Sequence, residues 1–179
     1  IPDNALPAPI SKTSDTPFEI INSILSRHLT DPVTCSINFS RFLSSRIDFF
    51  QSLAHTKNIT IKNEIQKNIK INFNRAQLQK IIDNTISNAI KYSKANKEVL
   101  ISLNKNQHNL IFSVKDEGLG IKDTKKIFNR YYRENNIQGG FGLGLNIVKN
   151  ICDENSINIK ITTKALKGTL FEYNFNILN

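Results

Sequence analysis

The chain contains no methionine, no tryptophan and only two cysteines in 179 residues. Cys35 and Cys152 form no disulfide framework, and neither has the neighbouring ligands a zinc site requires. Two separate thiols fit a reducing compartment. No apolar run approaches the roughly 20 residues of a membrane-spanning helix. No charged, apolar and small-residue succession at the start marks a secretory signal. Without an initiating methionine, the chain reads as a piece of a longer protein, and a membrane tether elsewhere in that protein is compatible with it. Proline is nearly confined to the start, with four of the five prolines at positions 2, 7, 9 and 17.

Acidic residues are also scarce, 15 against 24 lysines and arginines, giving a formal charge of +9. The lysines are scattered instead of blocked, and no aromatic-rich RNA-binding pattern accompanies them. The expectation is a solvated basic surface that attracts anionic nucleotides, with no nucleic-acid partner. At 39% apolar residues the chain can still build a core.

Residues 1–17 show no periodicity and read as a linker. Phe18, Ile20, Ile21, Ile24, Leu25 and Leu29 have helical spacing and stop before Pro32, so residues 18–35 read as the tail of an upstream hairpin helix. Asn38 is a candidate N-cap. After it Phe39, Phe42, Leu43, Ile47, Phe50, Leu53 and Ala54 outline one helix face. Two strands follow, on Ile59 to Ile65 and Ile69 to Phe73. A second helix runs from Arg75 to Tyr92, with Leu78, Ile81, Ile82, Ile86 and Ala89 inward. A hairpin pairs residues 99–103 with 110–115, and Phe112, Val114 and Asp116 share one side. A short helix is expected over 122–132 and another over 143–152. Alternation at 157–161 and 171–177 gives two final strands. This order predicts an α+β fold: a two-layer sandwich with one mixed, mostly antiparallel sheet, covered on one face by three helices.

Glycine is rare, seven residues in all, yet six fall in two short segments. These are Asp116-Glu117-Gly118-Leu119-Gly120-Ile121 and Gly139-Gly140-Phe141-Gly142-Leu143-Gly144-Leu145. Glycine lets a backbone approach a ligand closely, and the second segment opens a helix, where free N–H groups favour phosphate. Upstream, Asn84, Asn88, Lys91 and Tyr92 share one helical face at i, i+4, i+7 and i+8. Together these three segments read as a nucleotide pocket. The connection from 117 to 141 is long for a compact domain, and such loops are usually functional.

These segments resemble the ATP-binding catalytic domain of sensor histidine kinases, in the superfamily that includes DNA gyrase, Hsp90 and MutL. The resemblance spans roughly residues 36–179. Asn84 to Tyr92 looks like the family's N box, and Asp116 to Gly120 like its first glycine box. Ile127-Phe128-Asn129-Arg130-Tyr131-Tyr132-Arg133 looks like its F box, which distinguishes the kinases within the superfamily. Gly140 to Leu145 looks like the second glycine box, and Lys167-Gly168-Thr169 like the late Gly-Thr element.

The resemblance implies ATP and Mg²⁺ as cofactors. It implies that Asn88 holds the metal and that Asn84 contacts phosphate or metal-bound water. Lys91 would neutralise phosphate charge, Tyr92 would lie against the adenine ring, Tyr131 would contact the nucleotide, and Asp116 would accept the adenine amino hydrogen. Gly118, Gly120 and Ile121 would flank the base. Gly140, Gly142, Leu143, Gly144 and Leu145 would form the hinge and phosphate-facing helix start. Arg130 or Arg133 would reach the terminal phosphate, and Thr169 would floor the pocket. Phe141 departs from the Thr or Ser common at its position.

Gyrase-type ATPases carry a Glu where Asn84 stands here, and an amide cannot take a proton near neutral pH. The implied acceptor is therefore a histidine, not water. His28 lacks the family's phosphoacceptor surroundings, so that histidine is expected on a dimerisation domain absent from this piece. A response regulator and a homodimer of the whole protein follow from the same resemblance, as does a cytoplasmic placement below a membrane-anchored sensor. The alternatives are an anti-sigma-type serine protein kinase, a nucleotide sensor that transfers nothing, and a nucleic-acid-binding domain.

Overall fold

Asn38 ends one element and starts the next. It is the last residue of β1 (Thr34–Asn38) and the N-cap of α1 (Phe39–Thr56), where its Oδ1 accepts from the Arg41 N–H at 3.0 Å. Asn74 repeats the device between β3 (Lys70–Asn74) and α2 (Arg75–Tyr92), accepting from the Gln77 N–H at 3.0 Å. Each cap satisfies a helix-start N–H that has no partner within its helix. The computed structural model describes residues 34–133 and 142–176. The expected helix over 18–29 lies outside them.

The main sheet contains β2 (Thr60–Ile65), β4 (Glu98–Lys105), β5 (Asn109–Asp116), β6 (Asn158–Lys164) and β7 (Gly168–Asn176), in the spatial order β2-β4-β5-β7-β6. Among the described strands only the β2–β4 pair is parallel; the others are antiparallel. With α1, α2 and α3 (Gly144–Glu154) this is the expected α+β sandwich.

Three particulars differ from the sequence reading. First, β3 leaves the main sheet and pairs antiparallel with β1 as a separate two-stranded sheet. Thr34 and Cys35, assigned from sequence to a helical tail, therefore belong to a strand. Of its five residues only Ile37 is fully buried, so the segment offers no alternation to read. Second, the helix expected over 122–132 contracts to a single 3-10 turn, Lys126–Phe128. The Asp123 carboxylate caps it by accepting from the Lys125 and Lys126 N–H groups, both at 3.1 Å. Asn129 is already extended and Tyr131 has φ +64°, so helical hydrogen bonding cannot propagate. Third, Leu53 is 43% exposed. It shares a stripe of α1 with Phe42 and Arg46, but lies two turns past the point where Arg46 meets Asp83 of α2 in a two-bond ion pair at 2.7 and 2.9 Å.

Between helices and sheet lie Phe39, Phe112, Phe175 and Tyr173, with Leu78, Ile81, Ile82 and Ile86 above them. Tyr173 is fully buried, so its hydroxyl needs a partner inside. It finds Thr85 Oγ1 at 2.7 Å, and Thr85 in turn donates to the Ile81 carbonyl, also at 2.7 Å. This chain of bonds sets the rotation of α2 about its axis. Asn84 and Asn88 consequently face away from the core. Among the described residues no helix is long and apolar enough to cross a membrane.

Candidate nucleotide-binding site

A cleft opens between α2, the end of β5 and the start of α3. It has an inner chamber of about 90 Å³ and an outer chamber of about 440 Å³. Asn88, Tyr92, Ile127, Tyr132, Arg133 and Leu145 line both, so the two adjoin.

The inner chamber is largely apolar and holds one carboxylate. Ala89, Leu119, Ile121, Ile127, Leu145 and Phe171 enclose it, with Asp116 and Thr169 at its floor. Asp116 is 6% exposed at the end of β5. Its Oδ1 accepts from the Gly118 N–H at 2.8 Å and the Thr169 N–H at 3.2 Å. Among the described residues both hydrogen bonds fall on Oδ1, so Oδ2 remains available to a donor in the chamber. Burial pushes this carboxyl up to about 6, and the two N–H groups only partly offset that. Thr163 ties the floor together: its Oγ1 accepts from the Ile121 N–H at 2.9 Å and lies 3.3 Å from Thr169 Oγ1.

Glycine is required where backbones converge on Asp116. Gly168 has φ +96°, and a Cβ there would collide with the Asp116 carbonyl and stand 2.8 Å from Glu117 Cα. Gly118 was expected beside the base. Its place is instead against the Tyr92 carbonyl, where any Cβ would collide, and it lines neither chamber. The β-bridge between Ser93 and Gly118 thus docks the end of α2 on the end of β5. Gly120 and Ile121 do line the inner chamber.

The outer chamber has a polar wall on its α2 side. Asn84, Ser87, Asn88 and Lys91 face Gly142, Leu143, Gly144 and Leu145 at the start of α3. Asn88 makes no side-chain hydrogen bond among the described residues. Lys91 lies with Nζ 5.0 Å from the Tyr92 ring centroid. Asn84 is more committed than its sequence suggests. Its Nδ2 donates to the Lys80 carbonyl at 2.8 Å, and its Oδ1 lies against Gly144, where an added Cβ would force the Asn84 side chain to shift. α3 begins without a side-chain cap among the described residues, and Leu143, Gly144 and Leu145 at its start line this chamber.

In each of two pairs, Tyr131 with Tyr132 and Arg130 with Arg133, one member lines the cleft, and Arg133 is the arginine expected there. Tyr131 is 72% exposed and lines neither chamber, whereas Tyr132 lines both. The left-handed backbone at Tyr131 turns its ring outward. Likewise Arg133 lines both chambers, while Arg130 donates to Asn146 Oδ1 at 3.3 Å. Gly140 lies outside the described residues. Ile127, Tyr132, Leu119 and Phe171 were not singled out from sequence. Phe171 was within reach, because it shares the inward side of β7 with Thr169. Ile127 and Tyr132 were not, because the helix expected around them gave no usable face.

Among the described residues no group of three His, Cys, Asp or Glu side chains is placed to hold a metal. A divalent ion here would need ligand oxygens in addition to protein ones. A neutral amide such as Asn88 suits a hard cation that arrives already surrounded by phosphate oxygen.

The chain is 34% identical over 145 residues to the sensor histidine kinase WalK of Bacillus subtilis, covering 76% of this chain and 24% of that protein. It is 30% identical over 137 residues to the sensor protein CiaH of Streptococcus pneumoniae, covering 73% of this chain and 31% of that one. It therefore spans about a quarter to a third of the curated relatives it matches. In fold it matches the catalytic domain of the histidine kinase ThkA, with a TM-score of 0.72 at 20% identity over 80% of this chain and 95% of that domain. Residues 73–178, more than half of the chain, match the family described as histidine kinase-, DNA gyrase B- and HSP90-like ATPase. A fold built around the Asp116 floor and the Asn88 face, taken with that match, establishes that the chain belongs to this ATPase family.

Proposed function

We propose that this chain is the nucleotide-holding catalytic domain of a two-component sensor kinase, and that it passes the γ-phosphoryl group of ATP to a histidine on a separate dimerisation domain. The observation that carries the reading is a buried carboxylate, Asp116, at the floor of the inner chamber, with an amide that makes no side-chain hydrogen bond among the described residues, Asn88, lining that chamber and the adjoining one. A purine fits the apolar inner chamber, with its amino group donating to Asp116. A hydrogen bond to a charged acceptor contributes about 1.5–3 kcal/mol. The phosphates extend into the outer chamber, toward Lys91 and the N–H groups at the start of α3. Mg²⁺, held by Asn88 together with phosphate oxygens, would supply charge neutralisation there.

Phosphoryl transfer depends on positioning and electrostatics more than on covalent help from the enzyme. Arg133 lines both chambers and is the nearest candidate for the terminal phosphate. Asn84 offers no proton-accepting group to activate water, and its amide is already engaged with Lys80 and Gly144. Hydrolysis is thus disfavoured, and an acceptor bringing its own nucleophile is favoured. Because WalK is named a sensor histidine kinase and CiaH a sensor protein, we place this chain on the cytoplasmic side of a dimeric, membrane-anchored sensor, upstream of a response regulator.

The test is incubation with γ-labelled Mg-ATP, alone and with a separate histidine-bearing hairpin domain. Acid-labile, alkali-stable label should appear on the hairpin histidine only. Label on His28 would disprove the separate acceptor. Acid-stable label on an added protein's serine would favour the serine-kinase alternative.

A further inference from the structure

The segment from Lys126 to Arg133 supplies three residues that line both chambers, Ile127, Tyr132 and Arg133. It has little structure of its own to hold them. Its only regular element is one 3-10 turn with no buried residue, and its backbone bonds are a few local contacts plus Tyr131 N–H to the Gly142 carbonyl at 3.0 Å. One side chain from outside the segment grips it twice. Asn146, in the first turn of α3, donates from Nδ2 to the Phe128 carbonyl at 2.9 Å and accepts at Oδ1 from Arg130 Nε at 3.3 Å. These two bonds bracket residues 128–130. Ile127 precedes them directly, and Tyr132 and Arg133 follow within three residues.

We infer that Asn146 is a positioning residue for nucleotide binding: it fixes the Ile127, Tyr132 and Arg133 wall of the cleft to the first turn of α3. Asn146 itself lines neither chamber. Both amide ends are needed, because Nδ2 is the donor and Oδ1 the acceptor. The wall and the phosphate-facing helix start therefore move as one body, so the base end and the phosphate end of the cleft keep their spacing. The inference rests on the nucleotide reading above.

The experiment uses the full chain and Mg-ATP, with Asn146→Ala and Asn146→Asp. Alanine removes both bonds and is at home in a helix. Aspartate keeps the acceptor for Arg130 but sets a carboxylate oxygen against the Phe128 carbonyl. The dissociation constant for Mg-ATP should rise about fivefold or more in both variants, the size expected from one lost hydrogen bond. Melting temperature without nucleotide should stay within a degree or two of wild type. In transfer to the separate hairpin domain, KM for ATP should rise by more than kcat falls. Unchanged affinity in Asn146→Ala would overturn the inference while leaving the nucleotide reading intact. So would a loss of nucleotide-free stability large enough to account for the weaker binding. Failure of the wild-type chain to bind Mg-ATP would overturn both.

Discussion

Replacing Asp116 with asparagine should move nucleotide affinity and nucleotide-free stability in opposite directions. The carboxyl is raised from its ordinary 3.8 to about 6, chiefly because burial disfavours its charge. At 1.36 kcal/mol per pH unit, that rise amounts to about 3 kcal/mol of differential stability. The sign follows from linkage. A folded-state value above the unfolded one favours folding fully below about pH 4, and that contribution is lost as pH rises through 6. At pH 7.5 the empty wild-type site therefore holds an ionised carboxylate at a cost. The substituted amide would keep an Oδ1 acceptor for the Gly118 and Thr169 N–H groups and carry no charge. Its free end, however, would be an NH₂ facing the amino group of the base, donor against donor. Without nucleotide, the variant should be more stable than wild type at pH 7.5, by roughly 1–3 kcal/mol. Its decline between pH 4 and 7 should be flatter. Mg-ATP should bind about ten- to hundredfold more weakly, as expected for losing a hydrogen bond to a charged acceptor. Wild-type affinity for ATP should itself fall about tenfold per unit as pH drops below 6. Urea unfolding from pH 4 to 8, with and without Mg-ATP, measures all of this together with calorimetric titration. An asparagine variant that binds ATP like wild type, or is less stable than wild type when empty at pH 7.5, would refute the reasoning.

Two further substitutions test the geometry of the cleft. Tyr132→Ala should weaken Mg-ATP binding severalfold, whereas Tyr131→Ala, at an exposed ring, should leave it within twofold; a titration giving the reverse order would return the nucleotide-contacting role to Tyr131. Gly168→Ala should cost about 2–4 kcal/mol in urea unfolding, because a strained φ and a collision with the Asp116 carbonyl add together; a loss below about 1 kcal/mol would mean that this approach is looser than described.

What could be read from sequence was set by periodicity and by caps. α2 was legible end to end because Leu78, Ile81, Ile82, Ile86 and Ala89 repeat at helical spacing after a capping Asn74. All five are buried. Asp116 was legible because it continues the inward alternation of Phe112 and Val114. β1 was not, since a five-residue edge strand with one buried apolar side chain carries almost no period-two signal. The stretch around Tyr131 failed for a different reason. Its conformation is set by a left-handed residue and by bonds from Asn146, sixteen and eighteen positions away from Arg130 and Phe128. Local propensity contains none of that. The engagement of Asn84 with Gly144 is likewise a contact between two helices, visible only once they are packed.

The small β1–β3 sheet gives the domain a mechanical handle. The chain enters it at Thr34, whose register partner is Asn74, the capping residue of α2. A pull applied at Thr34 would load that five-residue ladder first. It would reach the root of the helix carrying Asn84, Asn88 and Lys91 without crossing the main sheet.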